Sequence, residues 1–147
     1  MSKTIKPLTN EQLQAKAPSL FQDQPYHAVS SKYHFIETIE IVEQLRNESW
    51  FPVSVNEAGV KNLDKDGFQQ HYVRFQHFSD LINPNANVVE LLLFNSHDRS
   101  KAFTISAGIY RYVGILHSAV EIHLCQDFLL QLHLHSHINV FKIWETF

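Results

Sequence analysis

The stretch "NVVELLLFNSHDRSKAFTISAGIYRYV", Asn87 to Val113, decides how the rest of the chain is read. Its first eight residues are a nearly continuous apolar run of strand length, interrupted only by Glu90. Such a run is expected of a central strand, whose two faces are both covered. "NSHDRSK" is turn chemistry, because Asn, Ser and Asp side chains bond nearby backbone amides. "AFTISAGIYRY" then reads as the returning strand of a hairpin, with Gly108 as a candidate bulge.

The segments upstream supply the partners of this hairpin. In "FQQHYVRFQHF", His71, Val73 and Phe75 alternate with Tyr72, Arg74 and Gln76, so a strand here carries aromatic character on both faces. "SDLINPNAN" reads as a loop, and "NLDKDGF" as a turn built on two Asp and Gly67. In "KYHFIETIEIVEQLRNESWFPVSV", Tyr33, Phe35 and Ile36 predict a short strand. A helix follows, capped by Thr38 and running through Asn47. Ile41, Val42 and Leu45 form its apolar face, with Glu40, Glu43 and Arg46 outside. Trp50 and Phe51 anchor the chain beyond it, and Val53 and Val55 alternate as in a half-buried strand. Further upstream, "LTNEQLQAKAPSLF" places Thr9 at an N-cap with Gln12 completing a capping box, and Pro18 ends a helix over Asn10 to Lys16. No βαβ unit repeats. The expected fold class is α+β, a mainly antiparallel sheet with one or two covering helices, the helix around Ile39 to Leu45 chief among them.

Composition narrows the function classes. A chain of 147 residues with 44% hydrophobic residues is large enough for one real core. The net charge of −3 argues against nucleic-acid binding by bulk charge. The single cysteine, Cys125, excludes an internal disulfide and fits a reducing compartment. The N-terminus has no apolar signal region, and no stretch approaches the roughly 18 consecutive apolar residues of a membrane span. A cytoplasmic protein without a membrane partner is the expectation.

The motifs also occur in a known order. "LT-x-E-x-L" is carried by Leu8, Thr9, Glu11 and Leu13, followed by Pro18, Ser19, Leu20 and Phe21. Next come Ser30, Tyr33, Phe35, Ile36, Thr38 and Ile39, then Phe51 and Pro52 after Trp50, displaced by one position. His71, Arg74 and Phe75 follow. Then come Glu90, Leu91, Leu93, Asn95, Ser96, His97 and Asp98, and finally Ala107, Gly108, Arg111 and Val113. In these residues the chain resembles an uncharacterised family of phage/plasmid-like proteins found on conjugative plasmids, integrative elements and prophages. The resemblance covers roughly Leu8 to Val113. It departs at Arg99, where the family carries Gly, so a turn needing positive φ there is strained. It also stops near Val113, where the family continues with Cys, Asn and Gly. Five of the 10 histidines fall beyond that point. The expected organisation is therefore one α+β domain over 1–113 and a divergent, truncated or frameshifted His-rich tail over 114–147.

Three groups of residues could carry chemistry. His133, His135 and His137 alternate in "LQLHLHSHINV" as a zinc-binding strand face would, but no carboxylate or fourth ligand is called to them. They are weak candidates, and neither a metal nor a cofactor is expected. Asn95, Ser96, His97 and Asp98 are the motif candidates. A carboxylate beside an imidazole suggests acid–base work, yet no nucleophile elbow or oxyanion hole accompanies Ser96, so turn formation is the favoured role and no catalytic residue is assigned. Arg74, Arg99, Lys101 and Arg111, with Tyr72, Phe75, Phe103 and Tyr110, are the candidates for a single-stranded nucleic-acid face, where rings stack on bases and cations meet phosphates. The expected function is a non-enzymatic accessory role in mobile-element maintenance with single-stranded nucleic acid as partner. The alternatives are a module binding a host protein, such as an inhibitor of host defence, and a truncated remnant without function.

Overall fold

The computed structural model describes residues 5–83 and 87–111. The expected tail over 114–147, with Cys125 and the alternating His133, His135 and His137, lies outside the described residues.

Four strands form one antiparallel sheet in sequence order: β1 (Trp50–Glu57), β2 (His71–His77), β3 (Asn87–Asn95) and β4 (Thr104–Arg111). The apolar run at Val88 to Leu93 is thus a central strand, paired on both sides. Among the described residues three α-helices accompany the sheet, α1 (Asn10–Lys16), α2 (Thr38–Asn47) and α3 (Phe78–Ile82), with 3-10 turns at Pro18–Phe21 and Leu63–Lys65. The α+β expectation holds.

The strand period sorts side chains onto two faces. Val55, Val73, Phe75, Leu91, Leu93 and Ala107 point to one side, where Leu13, Leu20, Ile41, Val42 and Leu45 of the helical layer meet them in one core. α1 keeps its place through the anticipated capping box: Thr9 Oγ1 accepts from Gln12 N–H, and Gln12 Oε1 accepts from Thr9 N–H. Arg46 then ties α2 to the entry of α1, donating to the Leu8 carbonyl at 2.9 Å and to Asn10 Oδ1 at 2.5 Å.

Four expectations need correction. The segment at Tyr33, Phe35 and Ile36 is not a strand. It is held by side chains instead, with the Tyr33 hydroxyl donating to the Ser96 carbonyl at 2.8 Å. Thr38 does not cap α2. Glu37 occupies the N-cap without a side-chain bond, and the Thr38 hydroxyl is buried in another network. "SDLINPNAN" begins with α3, capped by the His77 imidazole accepting from Ser79 N–H. Gly108 pairs with Glu90 in an unbroken register, and the register shift falls instead between Pro52 and Ser54 on edge strand β1. A proline on an edge strand is where the missing N–H does least harm.

Phe75 is fully buried at the centre of the core. Phe75→Ala is expected to cost about 3–5 kcal/mol, read as a drop in the urea midpoint with an unchanged slope.

Candidate functional site

Two residues of the "NSHD" motif and two strands bring a polar cluster to one end of the core face. His71 opens β2 and Asn95 closes β3, and the two are register partners. His97 follows two residues later. Its backbone is fixed by N–H donation to the Phe68 carbonyl at 2.9 Å, while its own carbonyl accepts from Tyr26 N–H at 2.8 Å. The rings of His71 and His97 lie 5.2 Å apart, and Phe35 flanks His97 at 4.8 Å. Ser19 from the 3-10 turn and Thr38 from the first turn of α2 complete the cluster. His71, His97, Ser19, Thr38 and Asn95 are all buried, none more than 2% exposed.

The hydrogen bonds assign the protons. His71 Nδ1 lies 3.2 Å from the Gln69 carbonyl, which can only accept, so Nδ1 carries the proton. Nδ1 also lies 2.8 Å from Ser19 Oγ. His71 Nε2 is then an acceptor, and the Thr38 hydroxyl 2.8 Å away donates to it. Thr38 Oγ1 in turn accepts from Asn95 Nδ2 at 3.0 Å. His97 is the under-satisfied member. Its Nε2 reaches Thr38 Oγ1 only at 3.5 Å, and its Nδ1 has no hydrogen-bond partner. Below the cluster, Glu57 accepts from Ser19 N–H at 2.8 Å and from Gln69 Nε2 at 2.6 Å.

Burial pulls His71 down from the ordinary histidine value to about 3, with the neighbouring His97 charge acting in the same direction and the Gln69 carbonyl opposing. Burial likewise takes His97 down to about 4, against the Ser19 backbone and the Asp98 carboxylate. Both rings are therefore neutral near pH 7. The cluster has a Ser–His contact, but its atoms are sealed from solvent and no substrate reaches Ser19. It is built as a polar joint between turn, helix and sheet.

The remaining "NSHD" side chains diverge from His97. Asp98 points outward, accepting from Ser100 N–H at 2.9 Å and pairing with Lys65 Nζ at 3.3 Å. No His97–Asp98 dyad forms. Ser96 is buried, and its hydroxyl both accepts from Lys101 N–H at 2.8 Å and donates to the Lys101 carbonyl at 3.0 Å. Arg99 has φ of 67°, the left-handed conformation that is costly for a residue carrying a Cβ.

The opposite sheet face holds the other candidates. Glu90 is fully buried, and its carboxylate accepts from Arg74 Nε at 2.7 Å and from Gln76 Nε2 at 2.7 Å. Arg74 is thus already engaged by a carboxylate. Phe75 cannot stack on a base, because it faces the core. Phe103 packs partly against the core, and the side chains of Tyr110 and Arg111 lie outside the described residues. At the end of this face Tyr72 and Phe94 are register partners with ring centroids 5.6 Å apart. Lys101 Nζ sits 5.3 Å from the Phe94 centroid. Among the described residues no group of three or more His, Cys, Asp or Glu could hold a metal. No helix among them is long and apolar enough to cross a membrane.

Sequence reasoning missed Ser19, Thr38 and His71 as members of one cluster. Each nevertheless stands as a polar residue in one of the matched motifs.

Two pH and charge consequences follow from these geometries. The folded-state pKa values of His71 and His97 lie below the unfolded value near 6.5, so the unfolded chain binds more protons as pH falls. Stability is complete above about pH 6.5 and is lost progressively toward pH 4. Between pH 7.5 and pH 5 the loss is expected to be on the order of 3 kcal/mol, measured by urea unfolding, and His97→Gln is expected to flatten the profile by roughly half. Arg74→Ala removes a partner from a buried carboxylate and is expected to cost about 3 kcal/mol, with Glu90→Gln restoring part of the loss in the double variant.

The chain matches the model of a domain of unknown function, DUF932, over residues 25–114. It is 27% identical over 108 residues to the UPF0380 protein YafZ of Escherichia coli K12, and equally to the UPF0380 protein YfjQ of the same strain. Each match covers 74% of this chain and 39% of the relative, so the chain spans about two-fifths of the length of the curated relatives it matches. No solved structure matches it significantly. The matched span contains His71, Thr38, Asn95 and His97 together with the whole sheet, and the chain belongs to the DUF932 family.

Proposed function

We propose that this domain is a non-enzymatic accessory module of mobile genetic elements that holds single-stranded nucleic acid at one end of the sheet face opposite the helices, beyond the buried Val88, Glu90, Leu92 and Gln76. The observation that carries the reading is the pair of half-buried rings, Tyr72 and Phe94, set side by side across β2 and β3 with Lys101 against Phe94. Asn56 and Thr104, both exposed, extend the same row across β1 and β4. Unpaired bases stack on such rings irrespective of sequence, whereas a duplex keeps its bases out of reach. The mobile-element setting rests on the resemblance to phage/plasmid-like proteins.

Charge plays a minor part. Lys65 is paired with Asp98 and Arg74 with Glu90, which leaves Arg99 and Lys101 on the β3–β4 loop as the phosphate contacts. Among the described residues neither makes an ion pair. Binding through stacking with two cations fits a chain whose net charge is negative.

A second reading has its own observation. Phe78 and Ile82 of α3 are 50% and 58% exposed, and the Phe78 ring lies 6.1 Å from that of Phe51. Such a patch suits a host protein partner, as in an inhibitor of host defence.

Fluorescence anisotropy with a labelled oligo(dT) separates the two. Binding is expected with a log–log salt slope of roughly −1.4, two phosphates' worth, and with no affinity for duplex of the same length. Tyr72→Ala and Phe94→Ala are each expected to weaken it by about 1–3 kcal/mol, while Phe78→Ser leaves it unchanged. Absence of binding at low salt overturns the nucleic-acid reading, and sensitivity to Phe78→Ser without sensitivity to Tyr72→Ala favours the second.

A further inference from the structure

Ser96 is fully buried, yet its hydroxyl bonds no core group. It grips the backbone of a single residue five positions on, accepting from Lys101 N–H and donating to Lys101 C=O. The loop between them carries the left-handed Arg99 at φ 67° and the turn bond from Ser100 N–H to Asp98 Oδ1. Ser96 itself is anchored from behind. Its N–H donates to Asn95 Oδ1 at 2.9 Å, its carbonyl accepts from the Tyr33 hydroxyl, and Asn95 Nδ2 is bound to Thr38 and to the Ile36 carbonyl. A rigid chain of hydrogen bonds therefore runs from the buried His71–Thr38 joint to the backbone of Lys101. From there the lysine side chain crosses to the outer face and lies over Phe94.

We propose that Ser96 is a positioning residue for ligand binding: its hydroxyl sets the Lys101 backbone so that the ammonium stands beside the Tyr72–Phe94 platform, where it meets the phosphate of a base stacked there. The proposal rests on the nucleic-acid reading given above, and it assigns the "NSHD" motif a task on the opposite side of the sheet from His97. A hydroxyl suits the position because one oxygen supplies both a donor and an acceptor to the Lys101 backbone, whereas a methyl in the same volume supplies neither.

The test combines binding and NMR on the full chain. In oligo(dT) titrations over a salt series, Lys101→Ala is expected to weaken binding about fivefold at 0.1 M salt and to reduce the slope by about 0.7, one phosphate contact. Ser96→Ala is expected to reproduce both changes, and the double variant to add nothing further, as for residues acting through one another. A Ser96→Ala protein that keeps the wild-type slope, or whose loss adds in full to that of Lys101→Ala, overturns the proposal. The ligand-free readout is the upfield shift of the Lys101 side-chain protons under the Phe94 ring, together with slow exchange of the Lys101 amide. Both are expected in the wild type and lost in Ser96→Ala, with the Val73 and Leu93 amides still protected. Persistence of the ring shift in Ser96→Ala overturns the proposal even where binding is present. If the wild type binds no oligonucleotide, the nucleic-acid reading falls, and the NMR signature alone decides whether Ser96 positions Lys101. If Ser96→Ala does not fold, protection of the wild-type Lys101 amide at the level of a strand amide supports the bracket, and exchange at the rate of an open loop refutes it.

Discussion

Two imidazoles buried 5.2 Å apart impose the strongest constraint in this fold. Neither can carry charge there, because desolvation and mutual repulsion oppose protonation together. A neutral imidazole still needs one donor and one acceptor matched to it. For His71 those are the Gln69 carbonyl and the Ser19 hydroxyl on one side and the Thr38 hydroxyl on the other. Ser19 belongs to the turn after α1, Thr38 to the start of α2 and Gln69 to the approach of β2. Satisfying one ring therefore fixes how three parts of the helical layer and its connections meet the sheet. The apolar core below supplies more free energy but less direction, since dispersion and hydrophobic burial have no angular preference.

This arrangement explains which parts of the fold were legible in the sequence. The α1 boundaries follow from a local reciprocal bond between Thr9 and Gln12, and the apolar run of β3 follows from its central place. Both are decided within a few residues. Thr38 was misread for the same reason in reverse. A Thr before an apolar run is the local signal of a cap, but the hydroxyl is claimed by His71, 33 positions away. The strand expected at Tyr33 to Ile36 fails similarly: Tyr33 serves Ser96, Phe35 serves His97, and the Ile36 carbonyl accepts from Asn95 rather than from a ladder. The polar members of the cluster were visible only as letters in separate motifs, and spacing alone does not say which letters meet.

The charged candidates show the same division. In sequence Arg74, Arg99, Lys101 and Arg111 look equivalent. In the structure Arg74 is held by Glu90, a carboxylate with no exposed surface, and removing it costs the fold before it costs any ligand. Arg99 and Lys101 differ because they sit on a loop beyond the strand ends, where a charge stays hydrated. A count of basic residues thus overstates the electrostatic surface, and the proposed nucleic-acid reading draws its affinity mainly from stacking on two rings beside two cations.

The joint and the platform occupy consecutive rows of the same two strands. His71 pairs with Asn95 on the core face, and Tyr72 pairs with Phe94 on the other. Strand alternation makes this unavoidable: a residue that fixes one face also fixes its neighbour on the opposite face. A buried polar network at a strand end therefore does more than hold the helices. It limits the freedom of the two rings, and through Asn95 and Ser96 it limits that of Lys101 as well. The organisation accounts for why "NSHD" contains residues with opposed destinations. His97 turns inward to the joint, Asp98 turns outward to Lys65, and Ser96 stays between them to set the loop. The buried pair of histidines is joined to the surface through Thr38, Asn95 and Ser96, a continuous run of hydrogen bonds.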